Sequence, residues 1–269
     1  MTTTTTTSTS LVTRRVYLDG QRRGIIARAF MGSLAGGLPI PFLDDWAVEK
    51  ILGNGYRRIA ASHHIDLDPL AVTQLVHGTE APAKIANTAF SSIAYRIAGT
   101  AAKRMLLAFA TVKRARAAAR TFVTMTLFDH YCAKLHTGGA LDGPTALALR
   151  DEITRTIEHT PGALAFHPFR RAALSAARAT LRAPLELADM ASSGGLRRLL
   201  ARRSEVHEGE VVDDLDQAID NALAAKTSFV SRAVTAVEVQ LTSEVNPYLD
   251  TCLDSFDRKW RARRDVEPK

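Results

Sequence analysis

Hydrophobic residues along much of this chain recur every three or four positions, which is the spacing of one face of an α-helix. The clearest case is the segment 212–245, where acidic residues occupy the other faces and the pattern predicts a long amphipathic helix. No segment alternates hydrophobic and polar residues convincingly enough to predict a β-strand. We therefore predict an all-α fold, a multi-helix bundle built from helical hairpins with this long amphipathic helix near its C-terminus. The hydrophobic stripe of the predicted helix over 212–245 consists of Leu215, Ile219, Leu223, Val230, Val234, Val237 and Leu241.

Glycine, proline and aspartate mark where the helices begin and end. A helix is predicted from about Arg22 to Leu34, because the glycines and prolines that follow cannot continue it. Asp44 is a plausible N-cap for a second helix, which would complete a helical hairpin. Asp68 followed by Pro69 predicts another helix start, and Gly78 predicts its end. Further helices are predicted over 83–136, 144–159, 164–191, 195–205 and after Pro247.

Three regions divide the 269 residues. Residues 1–12 are rich in threonine and are predicted to be a disordered tail. Residues 13–140 form the first helical region, and residues 141–264 form a second one with a basic block followed by an acidic block. Two distant cysteines without a CxxC motif indicate a reduced, cytoplasmic protein. The longest uncharged segment, Ala29 to Leu43, has fifteen residues, fewer than the roughly 20 that cross a bilayer as a helix.

The charge of the chain is unevenly distributed, although its formal total is only +7. Between Ala81 and Phe128 there are eight basic residues and no acidic one, and another arginine-rich block covers His159 to Ser204. From Glu205 to Asp257 the sign reverses, with twelve acidic residues, before the basic sequence "RKWRARR" at 258–264. Blocks of this kind indicate either an internal attraction between the body and an acidic arm or surfaces for different partners.

Lysine and arginine near an anionic membrane contribute about 1 kcal/mol each to binding, so a few well-placed cations can hold a protein at the surface. Phosphates of nucleic acid would also attract them, but few aromatics lie near these residues and no nucleic-acid-binding motif is present. A third interpretation is that the cations neutralise the acidic block. The residues predicted to bind anionic lipid are Arg96, Lys103, Arg104, Lys113, Arg114, Arg116 and Arg120.

The segment "PIPFLDDWAVEKILGNGYRRIA" resembles the "PIPG-x-D" turn and following helix of a bacterial helical family that includes YcjF-type and EcsC-like proteins. A later segment, "ARTFVTMTLFDHYCAKLHTGG", resembles a small-residue helix of the same family. The resemblance covers roughly residues 22–140, and Phe42 stands where the family usually has glycine. It implies an α-helical, membrane-associated cytoplasmic domain of unknown activity, and the family offers no agreed catalytic residues to transfer.

The turn of the predicted hairpin has two interpretations. It is either packed on its own domain, as similar turns in soluble proteins commonly are, or it enters the membrane interface as a shallow wedge. The apolar residues of that membrane-insertion elbow would be Leu38, Ile40, Phe42, Leu43 and Trp46.

Three other motifs suggest chemistry only weakly. "HHIDLD" (63–68) has metal-ligand residue types, but adjacent histidines on a helix point in different directions, which favours a solvated helix end with capping aspartates. "FDHYC" (128–132) contains Asp129, His130 and Cys132, yet residues adjacent on a helix do not face one another as a catalytic set must. "SSGG" (192–195) lacks the Lys-Ser/Thr of a phosphate-binding loop.

We therefore predict no catalytic residues, no metal and no cofactor. The predicted function is that of a non-enzymatic helical protein, peripheral at the cytoplasmic side of the inner membrane, that binds anionic lipid surfaces, a protein partner or both. Residues 212–245 would provide the contact with a protein partner or with a second copy of the chain. The alternatives are a soluble helical scaffold without lipid contact and a basic nucleic-acid-binding protein.

Overall fold

The computed structural model describes residues 15–35, 43–79, 112–164, 167–171, 220–221, 223–224, 229–243 and 247–266. These residues are mostly helical, so the all-α prediction is confirmed for the described part of the chain. After a short 3-10 turn at Val16–Leu18, the helices are α1 (Asp19–Ala35), α2 (Leu43–Ser62), α3 (Pro69–His77), α4 (Val112–Lys134), α5 (Gly143–His159), α6 (Phe229–Ser243) and α7 (Pro247–Val266).

Helix α4 is the central element of the bundle, and α1, α2, α5 and α7 all pack against it. Its most extensive partner is α1. Ala115, Ala118 and Ala119 of α4 and Ala27 and Ala29 of α1 are all buried. Small side chains at a helix interface allow two packed backbones to come near one another.

The core continues past residue 140 through contacts between aromatic side chains. Phe169 is buried, and its ring centroid lies 5.7 Å from that of Phe30 and 5.6 Å from that of Phe122. Near the other end of α4, the Trp260 ring of α7 packs edge-on against Tyr131 at 5.1 Å. Residues from both sides of position 140 therefore belong to one hydrophobic cluster.

The predicted helix boundaries around α3 are confirmed at the level of individual hydrogen bonds. The Asp68 side chain accepts from the backbone N–H of Leu70 at 3.1 Å, and Pro69 occupies the first position of the helix. Gly78 ends the helix with a φ of 71°, a conformation that glycine adopts without a steric cost. For α2 the prediction is off by two residues, because an N-cap at Asp44 places the first helical residue at Asp45 and the helix begins at Leu43.

One element was not predicted. Asp66–Leu67 (β1) and Ala140–Leu141 (β2) form a two-residue parallel pair, with Asp66 opposite Ala140 and Leu67 opposite Leu141. The backbone N–H of Asp66 donates to the Gly139 carbonyl at 2.8 Å. Such a short pair leaves no alternating pattern in a sequence, and here it joins the turn after α2 to the loop before α5.

The predicted amphipathic helix over 212–245 is described in part. Residues 220–221, 223–224 and 229–243 are helical, and the buried side chains of α6 include Val234, Val237 and Leu241 from the predicted stripe. Helix α7 begins at Pro247, as predicted. Among the described residues, no helix combines the length and the apolar character that crossing a membrane requires.

Candidate anion-binding surface and buried polar cluster

The seven cations predicted to bind lipid are only partly described. Arg96, Lys103 and Arg104 lie outside the described residues, and for Lys113 the helix is described but the side chain is not. Arg114 is partly buried, whereas Arg116 and Arg120 are exposed. Of the seven predicted lipid-binding cations, Arg116 and Arg120 are therefore the ones described as exposed.

Arg116 and Arg120 lie one turn apart on the outer side of α4, because Ala115, Ala118 and Ala119 face the core. A guanidinium nitrogen of Arg120 lies 3.2 Å from the Glu158 carboxylate of α5. Both side chains are about half exposed, so solvent screens this pair and it fixes Arg120 only weakly.

Tertiary structure adds one arginine that the sequence did not assign to the site. Arg155 lies one turn before Glu158 on α5, and its side chain is 56% exposed and lies 3.4 Å from the Glu152 carboxylate. We call this set the α4 cationic surface: Arg116, Arg120 and Arg155. Arg170 and Arg171 are also exposed, but Phe169, which precedes them, packs on Phe122, and Phe122 points about 200° around α4 from Arg120.

The described acidic residues of the block 205–257 pair with cations elsewhere. Arg58 lies 2.8 Å from Asp220, and Arg23 lies 3.1 Å from Glu238. Arg15 contacts both Asp250, at 3.6 Å, and Asp254. The acidic block thus neutralises basic residues of the N-terminal segment, α1 and α2, whereas Arg120 pairs with Glu158, which lies outside that block.

The predicted membrane-insertion elbow falls mostly outside the described residues. Leu38, Ile40 and Phe42 are not described, and Leu43 and Trp46 are described only as positions in the first turn of α2. Insertion of this turn into a membrane therefore stays a prediction.

"HHIDLD" forms the end of α2 and the turn that follows it. His64 is exposed with a φ of 59°, Asp68 caps α3, and His63 alone turns inward. The Nε2 of His63 donates to Oδ1 of Asp129 on α4 at 2.6 Å. Within the described residues, no group of three or more histidine, cysteine or carboxylate side chains could hold a metal ion.

The three reactive residue types of "FDHYC" face different partners, as helical geometry predicts. Asp129 is fully buried and binds His63, while its other oxygen, Oδ2, has no hydrogen-bond partner in the described part of the chain. The Tyr17 hydroxyl donates to Nδ1 of His130 at 2.6 Å, and Nε2 of His130 lies 3.6 Å from Asp257 of α7. Cys132 is buried, and burial raises the pKa of its thiol, which makes it a poor nucleophile.

Burial also dominates the titration of the two central groups. It lowers the pKa of His130 to about 4, with nearby Arg15 lowering it further and Asp257 opposing both. It raises the pKa of Asp129, against the effect of His63. His130 is therefore neutral near neutral pH, in agreement with Nδ1 acting as the acceptor for Tyr17.

The polar contacts around His130 connect three elements of the fold. Tyr17 comes from the 3-10 turn, His130 from α4 and Asp257 from α7, and Lys134 lies 4.9 Å from the centre of the Tyr17 ring. These contacts hold the N-terminal segment and the C-terminal helix to α4. Their geometry suits a structural role, since the side chains use one another as partners.

Comparisons with protein-family models, with curated proteins and with solved structures found no match to this chain. The class that the fold and the surface define is thus an all-α multi-helix protein with an exposed cationic surface on its central helix.

Proposed function

We propose that this protein is a non-enzymatic, peripheral membrane-associated helical protein whose α4 cationic surface binds anionic lipid headgroups. The observation that carries the proposal is the exposure of Arg116 and Arg120 on one side of α4, where Arg120 meets α5 and its exposed Arg155. The resemblance of residues 22–140 to the YcjF-type and EcsC-like membrane-associated family supports the same function and a cytoplasmic location at the inner membrane.

The charge of this surface supports weak, reversible binding. The α4 cationic surface carries three arginines, of which Arg120 pairs with Glu158 and Arg155 pairs with Glu152. At about 1 kcal/mol for each cation near an anionic leaflet, these arginines contribute at most about 3 kcal/mol. Stable attachment then requires a second contribution, which insertion of the elbow around Phe42 and Trp46 would supply through burial of apolar area.

Arginine is suited to this task for chemical reasons. Its guanidinium group stays charged at every physiological pH and can donate two parallel hydrogen bonds to one phosphate. The described residues of the acidic block engage Arg15, Arg23 and Arg58, which lie outside the α4 cationic surface.

Flotation with vesicles tests the proposal. We expect the full-length protein to float with vesicles that contain phosphatidylglycerol and to remain unbound with vesicles of phosphatidylcholine alone. The double variant Arg116→Gln/Arg120→Gln removes two cations, so it should lower the partition coefficient about 30-fold, and added salt should weaken wild-type binding.

The matched control is Arg57→Gln/Arg58→Gln, which removes the same charge from exposed positions on α2. It should bind vesicles as the wild type does. Equal recovery of the wild type on both kinds of vesicle, or on neither, would contradict the proposal. A protein that remains monodisperse and ignores vesicles would instead be a soluble scaffold. Strongly salt-dependent binding to random duplex would indicate a nucleic-acid-binding protein.

A further inference from the structure

Helix α7 separates its charges along its length. Asp250 and Asp254, in its first half, pair with Arg15. Its second half is rich in cations, of which Arg258 is exposed and Arg261 has a side chain that is 65% exposed although it pairs with Asp257. We call the following residues the cationic end of α7: Arg258, Lys259, Arg261, Arg263 and Arg264.

Two contacts place this cationic end beside the last turns of α4. The Trp260 ring packs edge-on against Tyr131 with 5.1 Å between centroids. A guanidinium nitrogen of Arg264 donates to the Leu135 carbonyl, just beyond the end of α4, at 3.3 Å. The cationic end of α7 is therefore fixed relative to α4 by a buried aromatic pair and by a hydrogen bond.

Helical geometry shows which side of α4 it occupies. Tyr131 follows Arg120 by eleven residues, which is three turns to within about 20°, and it lies about 16 Å further along the axis. Asp129 follows Arg120 by nine residues, about half a turn away from that direction, and it binds His63 just after α2. The cationic end of α7 thus lies on the same side of α4 as Arg120, whereas the turn that follows α2 meets α4 on the opposite side, at Asp129.

We propose that the cationic end of α7 is a second contact with the same anionic bilayer, so that the protein docks with α4 parallel to the membrane plane. This inference rests on the proposed function, because it needs the α4 cationic surface to bind lipid. The two groups of cations are separated by more than the Debye length of about 8 Å, so each contributes its own binding energy. Binding both to one flat surface fixes an orientation that a single patch leaves free.

The experiment measures the partition of full-length variants onto phosphatidylglycerol-containing vesicles. Arg258→Gln/Arg261→Gln weakens the cationic end of α7, Arg116→Gln/Arg120→Gln weakens the α4 cationic surface, and a quadruple variant combines them. Each double variant should lose about 30-fold in partition coefficient, and the quadruple variant about the product of the two losses. Arg57→Gln/Arg58→Gln, at exposed positions of α2 outside both cationic groups, should retain wild-type binding.

Each remaining outcome has a distinct meaning. If the α7 variant binds as the wild type does while the α4 variant loses binding, the further inference is overturned and the proposed function stands. If neither variant differs from the wild type, both are overturned.

If the wild type clusters vesicles and either double variant stops the clustering, the two groups bind separate bilayers and the shared-plane orientation is wrong. If the α7 variant loses affinity for random duplex RNA but keeps it for vesicles, the partner of this end is nucleic acid and the inference also fails. Matching circular dichroism and thermal unfolding of all variants exclude misfolding as the cause.

Discussion

The two ends of α4 carry charged and polar side chains under opposite conditions. In its first half, Arg116 and Arg120 are exposed, and the ion pair of Arg120 with Glu158 is half exposed. In its last third, Asp129 and His130 are buried and contact His63, Tyr17 and Asp257 at three different elements. One helix thus offers its exposed charges to outside partners and uses its buried polar groups to assemble the bundle.

This difference shows that the role of a polar or charged side chain depends on whether the side chain is buried. Aspartate, histidine and cysteine within five residues suggest catalysis, yet here burial keeps the thiol protonated and the imidazole neutral. Exposed arginines suggest little by themselves, yet they keep their charge and can bind any anion that approaches. Variants at each end of α4 test this difference.

The largest effect is expected from Asp129→Ala. It removes a fully buried carboxylate, leaves the inward nitrogen of His63 without its acceptor and creates a cavity. We expect the free energy of unfolding in urea to fall by about 3–4 kcal/mol. If the free energy of unfolding falls no more than it does for an ordinary surface substitution, the Asp129–His63 pair does not hold α2 against α4.

A second effect concerns pH and His130. Its folded-state pKa of about 4 lies below the ordinary value of 6.5, so the unfolded chain binds a proton over this range that the folded chain does not. Stability contributed by the neutral imidazole is therefore complete above about pH 6.5 and is lost as the pH falls towards 4, by about 3 kcal/mol. Asp129 acts in the opposite direction, because its pKa is raised.

The difference between wild type and His130→Gln isolates the histidine, because the variant keeps Asp129 and loses the titrating ring. Urea unfolding of both proteins across this pH range should give two curves that converge towards acid pH. Parallel curves would show that His130 titrates normally in the folded protein.

A smaller effect is expected from Tyr17→Phe, which removes only the hydroxyl that donates to His130 at 2.6 Å. The free energy of unfolding should fall by about 1 kcal/mol. Hydrogen exchange should increase most in the 3-10 turn at Val16–Leu18, because this bond attaches it to α4. Unchanged exchange in that segment would show that Arg15 alone holds it.

The smallest effect on stability is expected at the exposed end. Arg116→Gln/Arg120→Gln should change the free energy of unfolding by no more than about 0.5 kcal/mol, because both side chains are exposed and the pair with Glu158 is screened. The same variant should lose vesicle binding. A large loss of stability would place these arginines with the structural cluster and would remove the contrast between the two ends.

Local signals allowed much of the described fold to be predicted. Asp68, Pro69 and Gly78 mark α3 because caps and breakers act within a few residues. The stripe through Val234, Val237 and Leu241 identifies the buried side of α6, because a helix repeats its faces every 3.6 residues. The β1–β2 pair was missed because two residues on each strand are too few to show a period.

Which side chains meet across the bundle could not be predicted in the same way. His63 and Asp129 are 66 positions apart, and Arg15 and Asp254 are 239 apart. The residues between them carry no pattern that shows the two side chains to be close in space.

The amino-acid sequence by itself determined that the chain is helical, where α3 and α7 begin, and that its charges occur in blocks. Each of these depends on backbone geometry and on neighbours within a few turns. Only the tertiary structure decided that Arg120 pairs with Glu158 of α5, that the cationic end of α7 shares a side of α4 with Arg120, and that Asp129 and His130 are buried. Such relations depend on how helices pack, and packing is determined by the fit of all the contacting surfaces together.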